Sequence, residues 1–166
     1  LDEVIFAVGG NVTNAAVTFA RQGLHSRYMW LLGTDVASEA ILRELDREDI
    51  DTKYVIQKEG IRSSYSVILM LKGGERTILN YKGTISAKDT HELDLSVIET
   101  GDWVYVSSLG DIALLEKIVS HAAKHGVKVM LNPAGSELKE AHKLRTILED
   151  VEILAVNKEE AQHIVS

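Results

Sequence analysis

Residues 4–21 read VIFAVGGNVTNAAVTFAR, and a change of period inside this stretch decides the fold class. Residues 4–8 are an apolar run of strand length that ends in Gly9-Gly10. From Asn11 onward, Val12, Ala15, Ala16, Phe19 and Ala20 recur at helical spacing, and Gly23 falls where a helix ends. The pattern then repeats. Residues 27–32 (RYMWLL) read as a strand, and Asp35 is placed to cap a helix running to about residue 48. Ala37, Ala40, Ile41 and Leu45 mark the inner face of that helix.

The rhythm changes at Asp51. Residues 53–57, 64–71 and 76–81 are strand-like, and Lys72-Gly73-Gly74-Glu75 predicts a tight hairpin between the last two. Ser64, Ser66, Ile68 and Met70 share one face of the first hairpin strand. Tyr65, Val67, Leu69 and Leu71 share the other, which is apolar throughout and calls for a cover. After Gly101 strands and helices alternate again. Residues 103–107 predict a strand, and 112–124 predict a helix striped by Ile112, Leu115, Ile118, Val119 and Ala122. Residues 127–131 predict a strand leading to Pro133. Leu138, Ala141, Leu144, Ile147 and Leu148 stripe another helix, 153–156 read as a strand, and a last helix starts at Asn157. Such alternation predicts an α/β fold, a mostly parallel sheet with helices on both faces in three layers. Residues 1–50 and 84–166 are expected to form the core, with 51–83 as a small antiparallel β lid.

Composition narrows the functional classes. The chain has 166 residues, 45% hydrophobic and 26% charged, which suits a globular domain with a real core. A net charge of −7 argues against a nonspecific grip on nucleic acid or anionic lipid. There are no cysteines, so no disulfide or thiolate metal site holds the fold, in keeping with a reducing cytoplasm. No apolar run approaches the roughly 20 residues of a membrane span. The opening residues lack the basic and apolar regions of a signal peptide.

Gly9-Gly10-Asn11-Val12-Thr13-Asn14 is the first stretch able to carry chemistry. Paired glycines let a ligand approach the backbone, the new helix offers free N–H groups, and Asn11 and Asn14 suit neutral hydroxyls. Plain turn geometry explains the same glycines, so both readings stand at this point. The stretch is not G-x-G-x-x-G, and the chain contains no G-x-x-x-x-G-K-S/T phosphate loop. The missing dinucleotide fingerprint counts against a nicotinamide-cofactor domain. Asn157 and Glu160 read first as a helix N-cap and its first-turn acidic partner. His121 and His125 lie four apart on one helix, but no H-E-x-x-H motif surrounds them, and solvent-facing histidines are the simpler expectation. Ser107-Ser108-Leu109-Gly110 is no nucleophile elbow.

Taken in order, these segments resemble the ribokinase, or phosphofructokinase-B-like (PfkB), family of carbohydrate kinases. The resemblance rests on Gly9-Gly10, Asn14, Ala16, Ala20-Arg21, Gly23, Gly33 and Asp35, then on Leu45, Ile50-Asp51-Thr52 and Val55. Further on it rests on Gly74-Glu75-Arg76, on Asn132-Pro133, and on Asn157-Lys158-Glu159-Glu160. Val12 replaces a small residue and Asp49 replaces a glycine of the family pattern. The resemblance implies a ribokinase-like three-layer fold and ATP-dependent phosphorylation of a primary hydroxyl on a small sugar or nucleoside. It implies that Gly9, Gly10, Asn11, Asn14 and Ser108 face the sugar. Asn132, Asn157 and Glu160 would lie near the nucleotide phosphates, with Glu160 organising Mg²⁺ through water.

The family's Gly-Ala-Gly-Asp segment, which supplies an anion hole and a catalytic base, does not occur in these residues, nor does its opening sugar-binding strand. The expectation is therefore a chain incomplete at both ends and inactive by itself, whose parent is a kinase. The alternative is a non-catalytic sugar-binding or assembly module that keeps the fold. Exposed sheet edges and the apolar lid face predict self-association, most simply as a homodimer.

Overall fold

The computed structural model describes residues 3–86, 88–133 and 135–165. The chain divides into two compact units, Leu1–Leu93 and Asp94–Ser166.

In the first unit, α1 (Asn11–Arg21) and α2 (Val36–Arg47) pack together over a short parallel pair, β1 (Leu31–Leu32) and β2 (Ile56–Gln57). Ala16, Tyr28, Leu45 and Ile50 are buried at the centre, with Val12, Val17, Ala20, Trp30, Ile41 and Val55 packed around them. This is the apolar stripe of both helices turned to one side, where burial of each large side chain contributes about 1.5–3 kcal/mol. Both helices end in the same device. Leu24 N donates to Phe19 O and Gly23 N to Ala20 O after α1; Ile50 N donates to Leu45 O and Asp49 N to Asp46 O after α2. The second case explains the departure at Asp49. Its φ of 57° is left-handed, a conformation glycine adopts freely and aspartate tolerates at a cost.

The hairpin forms as its sequence predicts. β3 (Tyr65–Met70) and β4 (Arg76–Tyr81) pair antiparallel, Tyr65 opposite Tyr81 and Met70 opposite Arg76, around a turn containing Gly73 and Gly74. Every residue of both strands is exposed.

The second unit is a parallel sheet in the order β5 (Trp103–Ser107), β6 (Lys128–Asn132), β7 (Ile153–Leu154). Helix α3 (Ile112–Lys124) connects the first two strands, and α4 (Gly135–Leu138) and α5 (Ala141–Ile147) connect the second pair. Asp111 caps α3 through the amides of Ala113 and Leu114. Leu115, Val119, Ala122, Val129, Leu131 and Leu144 are almost completely buried where α3, α5 and the sheet meet. Helix α6 (Lys158–Val165) packs on α4 and α5.

Three expectations are corrected. Residues 4–8 do not form a strand: among the described residues no strand pairs with them, and Phe6 is 96% exposed. An apolar run becomes a strand only when a neighbour accepts its hydrogen bonds. The expected parallel core sheet appears as two parallel sheets, of two and three strands, with the antiparallel hairpin separate as expected. The helix expected through Leu138 and Leu148 breaks at Lys139-Glu140 into α4 and α5 and closes in a 3-10 turn, Leu148–Asp150.

Candidate functional site

The glycine turn before α1 is open. Gly10 is the N-cap of α1 with φ 97° and ψ 150°, a backbone that favours glycine, and no side chain caps the helix start. A Cβ placed on Gly9 or Gly10 would meet nothing within 4 Å. Gly9, Gly10, Asn11 and Asn14 are all exposed, while Thr13 is buried and its hydroxyl lies 3.4 Å from the Tyr28 phenol. One helix face therefore anchors to the core, and a Cβ added at either glycine would meet open space.

The glycine before α2 is closed. A Cβ on Gly33 would sit 2.1 Å from the Ile61 carbonyl oxygen. Asp35 caps α2: its Oδ1 accepts from Ser38 N (2.9 Å) and Ser38 Oγ (2.6 Å), and its Oδ2 accepts from Ser63 N (3.0 Å). The Ser38 and Ser63 hydroxyls meet at 2.7 Å, and Gly33 N donates to Ser63 Oγ. Burial alone would raise the Asp35 carboxyl, but hydrogen bonds from Ser38 and Ser63, with the Arg62 charge nearby, hold it below its ordinary value. Gly33 and Asp35 thus clamp the segment leading into the hairpin.

In the second unit, the carboxyl ends of β5, β6 and β7 gather a polar set. Ser107 Oγ donates to Asn132 Oδ1 (3.1 Å), Ser108 N donates to Asn132 O (3.1 Å), and Asn132 Nδ2 donates to Ala155 O (2.7 Å). Ser108 is exposed with φ 52°, an uncommon conformation for a serine. Asn157 and Glu160 form a reciprocal capping box at the start of α6. Glu160 N donates to Asn157 Oδ1 and Asn157 N donates to Glu160 Oε2, both at 2.9 Å.

The sequence-predicted residues therefore fall into two groups. Gly9, Gly10, Asn11 and Asn14 belong to the first unit; Ser108, Asn132, Asn157 and Glu160 belong to the second. Sequence reasoning missed Glu137, which is 1% exposed and accepts a hydrogen bond from Gly110 N at 2.9 Å. A carboxylate between Ser136 and Leu138 carries no spacing signal for burial. His121 departs from the solvent-facing expectation, being half-buried beside Glu99. A shallow hollow of about 390 Å³ lies between α2 and the β2 segment, lined by Leu42, Arg43, Asp46, Thr52, Val55 and Gln57.

The profile of the pfkB family of carbohydrate kinases matches residues 2–166. This chain belongs to that family. It is 26% identical over 157 residues to a ribokinase of Staphylococcus aureus, covering 93% of this chain and 50% of that protein. The chain thus spans about half the length of this curated relative. Among solved structures, Arabidopsis thaliana ribokinase complexed with ribose and ATP superposes with a TM-score of 0.75 at 19% identity, over 94% of this chain and 51% of that one. A Burkholderia thailandensis nucleoside kinase in complex with inosine superposes with a TM-score of 0.74 at 21% identity, over 91% and 50%. These likenesses establish the ribokinase-like fold that the motifs imply. Among the described residues, no helix is long and apolar enough to cross a membrane.

Proposed function

We propose that these residues are part of a cytoplasmic ATP-dependent kinase that phosphorylates a primary hydroxyl of a small sugar or nucleoside. The observation that carries the reading is the Gly9-Gly10 turn, open to its surroundings at the start of a helix with no side-chain cap. Its helix start has no side-chain cap, and the exposed neutral amide side chains of Asn11 and Asn14 both donate and accept, which suits hydroxyl groups. In the second unit, Ser108, exposed at the carboxyl end of β5, is the residue suited to a hydroxyl. Asn132, Asn157 and Glu160 serve the nucleotide phosphates from the carboxyl edge of a parallel sheet, where ligands of α/β folds collect. Ribose with ATP in one structural relative and inosine in another support both substrate classes.

Mg²⁺ would be held by oxygen donors and its own waters. The Asn157–Glu160 pair fits this role: Glu160 Oε2 accepts from the Asn157 amide, which fixes the carboxylate, and that carboxylate would hold the ion through one of its waters. When bound, the ion neutralises phosphate charge during transfer. Phosphoryl transfer depends on positioning and charge stabilisation, so the 166-residue chain, without the Gly-Ala-Gly-Asp segment, turns over no sugar. Within residues 51–83, β2 joins β1 and the β3–β4 hairpin acts as the lid; its exposed apolar residues support self-association, as a homodimer.

The test uses the full-length product of the parent gene. ADP formation dependent on ribose, a ketohexose or inosine is expected, and Gly9→Val should raise the acceptor KM at least about tenfold with the ATP KM unchanged. Absence of acceptor-dependent ADP formation, or a Gly9→Val effect confined to ATP, would overturn the reading.

A further inference from the structure

We propose that Glu99, His121 and His125 form a binding site for a zinc-class divalent cation, separate from the phosphate-handling residues. The three belong to the second unit. Glu99 lies in a 3-10 segment, Leu95–Thr100, before β5; His121 is in the last turns of α3, and His125 is its C-cap. Topology brings them together. β5 leaves the sheet at Ser107, α3 returns along it, and β6 re-enters at Lys128. The end of α3 and the segment before β5 therefore meet at the amino edge of the sheet, opposite the edge that carries Ser108, Asn132 and Asn157.

One ligand atom from each residue lies within 4.8 Å of the other two. Glu99 Oε1 is 3.1 Å from His121 Nε2 and 3.6 Å from His125 Nε2. Ligands bonded at about 2.0–2.1 Å to a tetrahedral ion stand roughly 3.3 Å apart, so these separations match edges of such a site. The two rings lie with centroids 4.5 Å apart and address the same carboxylate oxygen.

Two details favour a metal over a simple ion pair. His125 Nδ1 lies 2.9 Å from the His121 carbonyl oxygen, which can only accept, so Nδ1 carries a proton, and in the neutral ring Nε2 is left as the metal-ligating nitrogen on the Glu99 side. A carbonyl holding the outer nitrogen of a histidine is the usual second layer of a zinc site. His121 Nε2 is buried, and among the described residues it is the one buried side-chain nitrogen or oxygen without a hydrogen bond, although Glu99 Oε1 lies 3.1 Å away. A cation between them satisfies both atoms at once. The site also stands at the carboxyl end of α3, where the helix dipole favours positive charge. Imidazole nitrogens select zinc, cobalt or nickel over magnesium, and three protein ligands leave a position for water. Bound metal would staple the 3-10 segment to α3.

The test is titration of the 166-residue chain with Co²⁺, followed by its visible absorption, and with Zn²⁺ by calorimetry. We expect one ion per chain, a four-coordinate Co²⁺ spectrum displaced by Zn²⁺ and untouched by excess Mg²⁺, and a higher melting midpoint with Zn²⁺. His121→Ala should weaken Zn²⁺ binding more than about 100-fold. Glu99→Gln, on an exposed residue, should weaken it about tenfold without disturbing the fold, whereas His142→Ala should change nothing. No Co²⁺ band in the parent chain, or a Zn²⁺ affinity left unchanged by both His121→Ala and Glu99→Gln, would overturn the proposal. Neither readout depends on kinase activity.

Discussion

The two helices of the first unit both begin behind a glycine, yet the turns before them are built for different ends. At Gly33 the backbone is pressed against Ile61, and Asp35 closes the helix start with three hydrogen bonds. At Gly9-Gly10 the space is clear, and the first amides of α1 receive no side-chain cap. Both glycines belong to the same family pattern. Glycine can be demanded by the protein's own packing or kept for something that arrives later, and only the surroundings tell which.

Substitutions turn this contrast into numbers. Gly33→Ala should have the largest effect, because its Cβ would overlap a backbone oxygen that cannot turn aside. We expect about 3–4 kcal/mol of destabilisation, measured as a fall in the urea midpoint. A loss below about 1 kcal/mol would mean that the clamp yields, and the contrast would collapse.

Asp35→Ala comes next, at about 2 kcal/mol, since it removes a cap and strands the Ser63 amide. The same carboxylate gives a pH signature. Its folded value lies below the ordinary 3.8, so its contribution is complete above that value and disappears as the pH falls through the folded value. Urea midpoints measured from pH 5 downward should therefore fall less steeply in Asp35→Ala than in the parent chain.

At the open turn the effects are smaller and differ between neighbours. Gly10→Ala should cost about 1 kcal/mol through its positive φ alone. Gly9→Ala, with neither positive φ nor a neighbour to strike, should stay within about 0.5 kcal/mol. Equal losses at Gly9 and Gly33 would erase the distinction.

Much of the architecture was legible because local rules and tertiary packing agreed. Asp111 and the stripe from Ile112 to Ala122 define α3 in sequence and in structure alike. Gly73-Gly74 fixes the hairpin register through its turn. Residues 4–8 misled because apolarity signals burial without naming a partner, and Ile5 and Phe6 remain exposed. At the site, Asn157 and Glu160 were legible as a helix start because a capping box is local. Glu137 and Glu99 were not. The burial of the first, and the meeting of the second with His121, depend on how α3 and its neighbours cross the sheet, which no short window of sequence records.

The clamp at Gly33 also sets the mechanical character of the hairpin. Its root is tied down at both feet: Ser63 is held by Asp35 and Ser38, Arg62 N donates to Thr84 Oγ1, and Thr84 N donates to Arg62 O. Beyond that root both faces of β3 and β4 meet solvent. A blade rooted in this way has its few protected amides at the socket, and amide exchange should slow abruptly where the strands enter it.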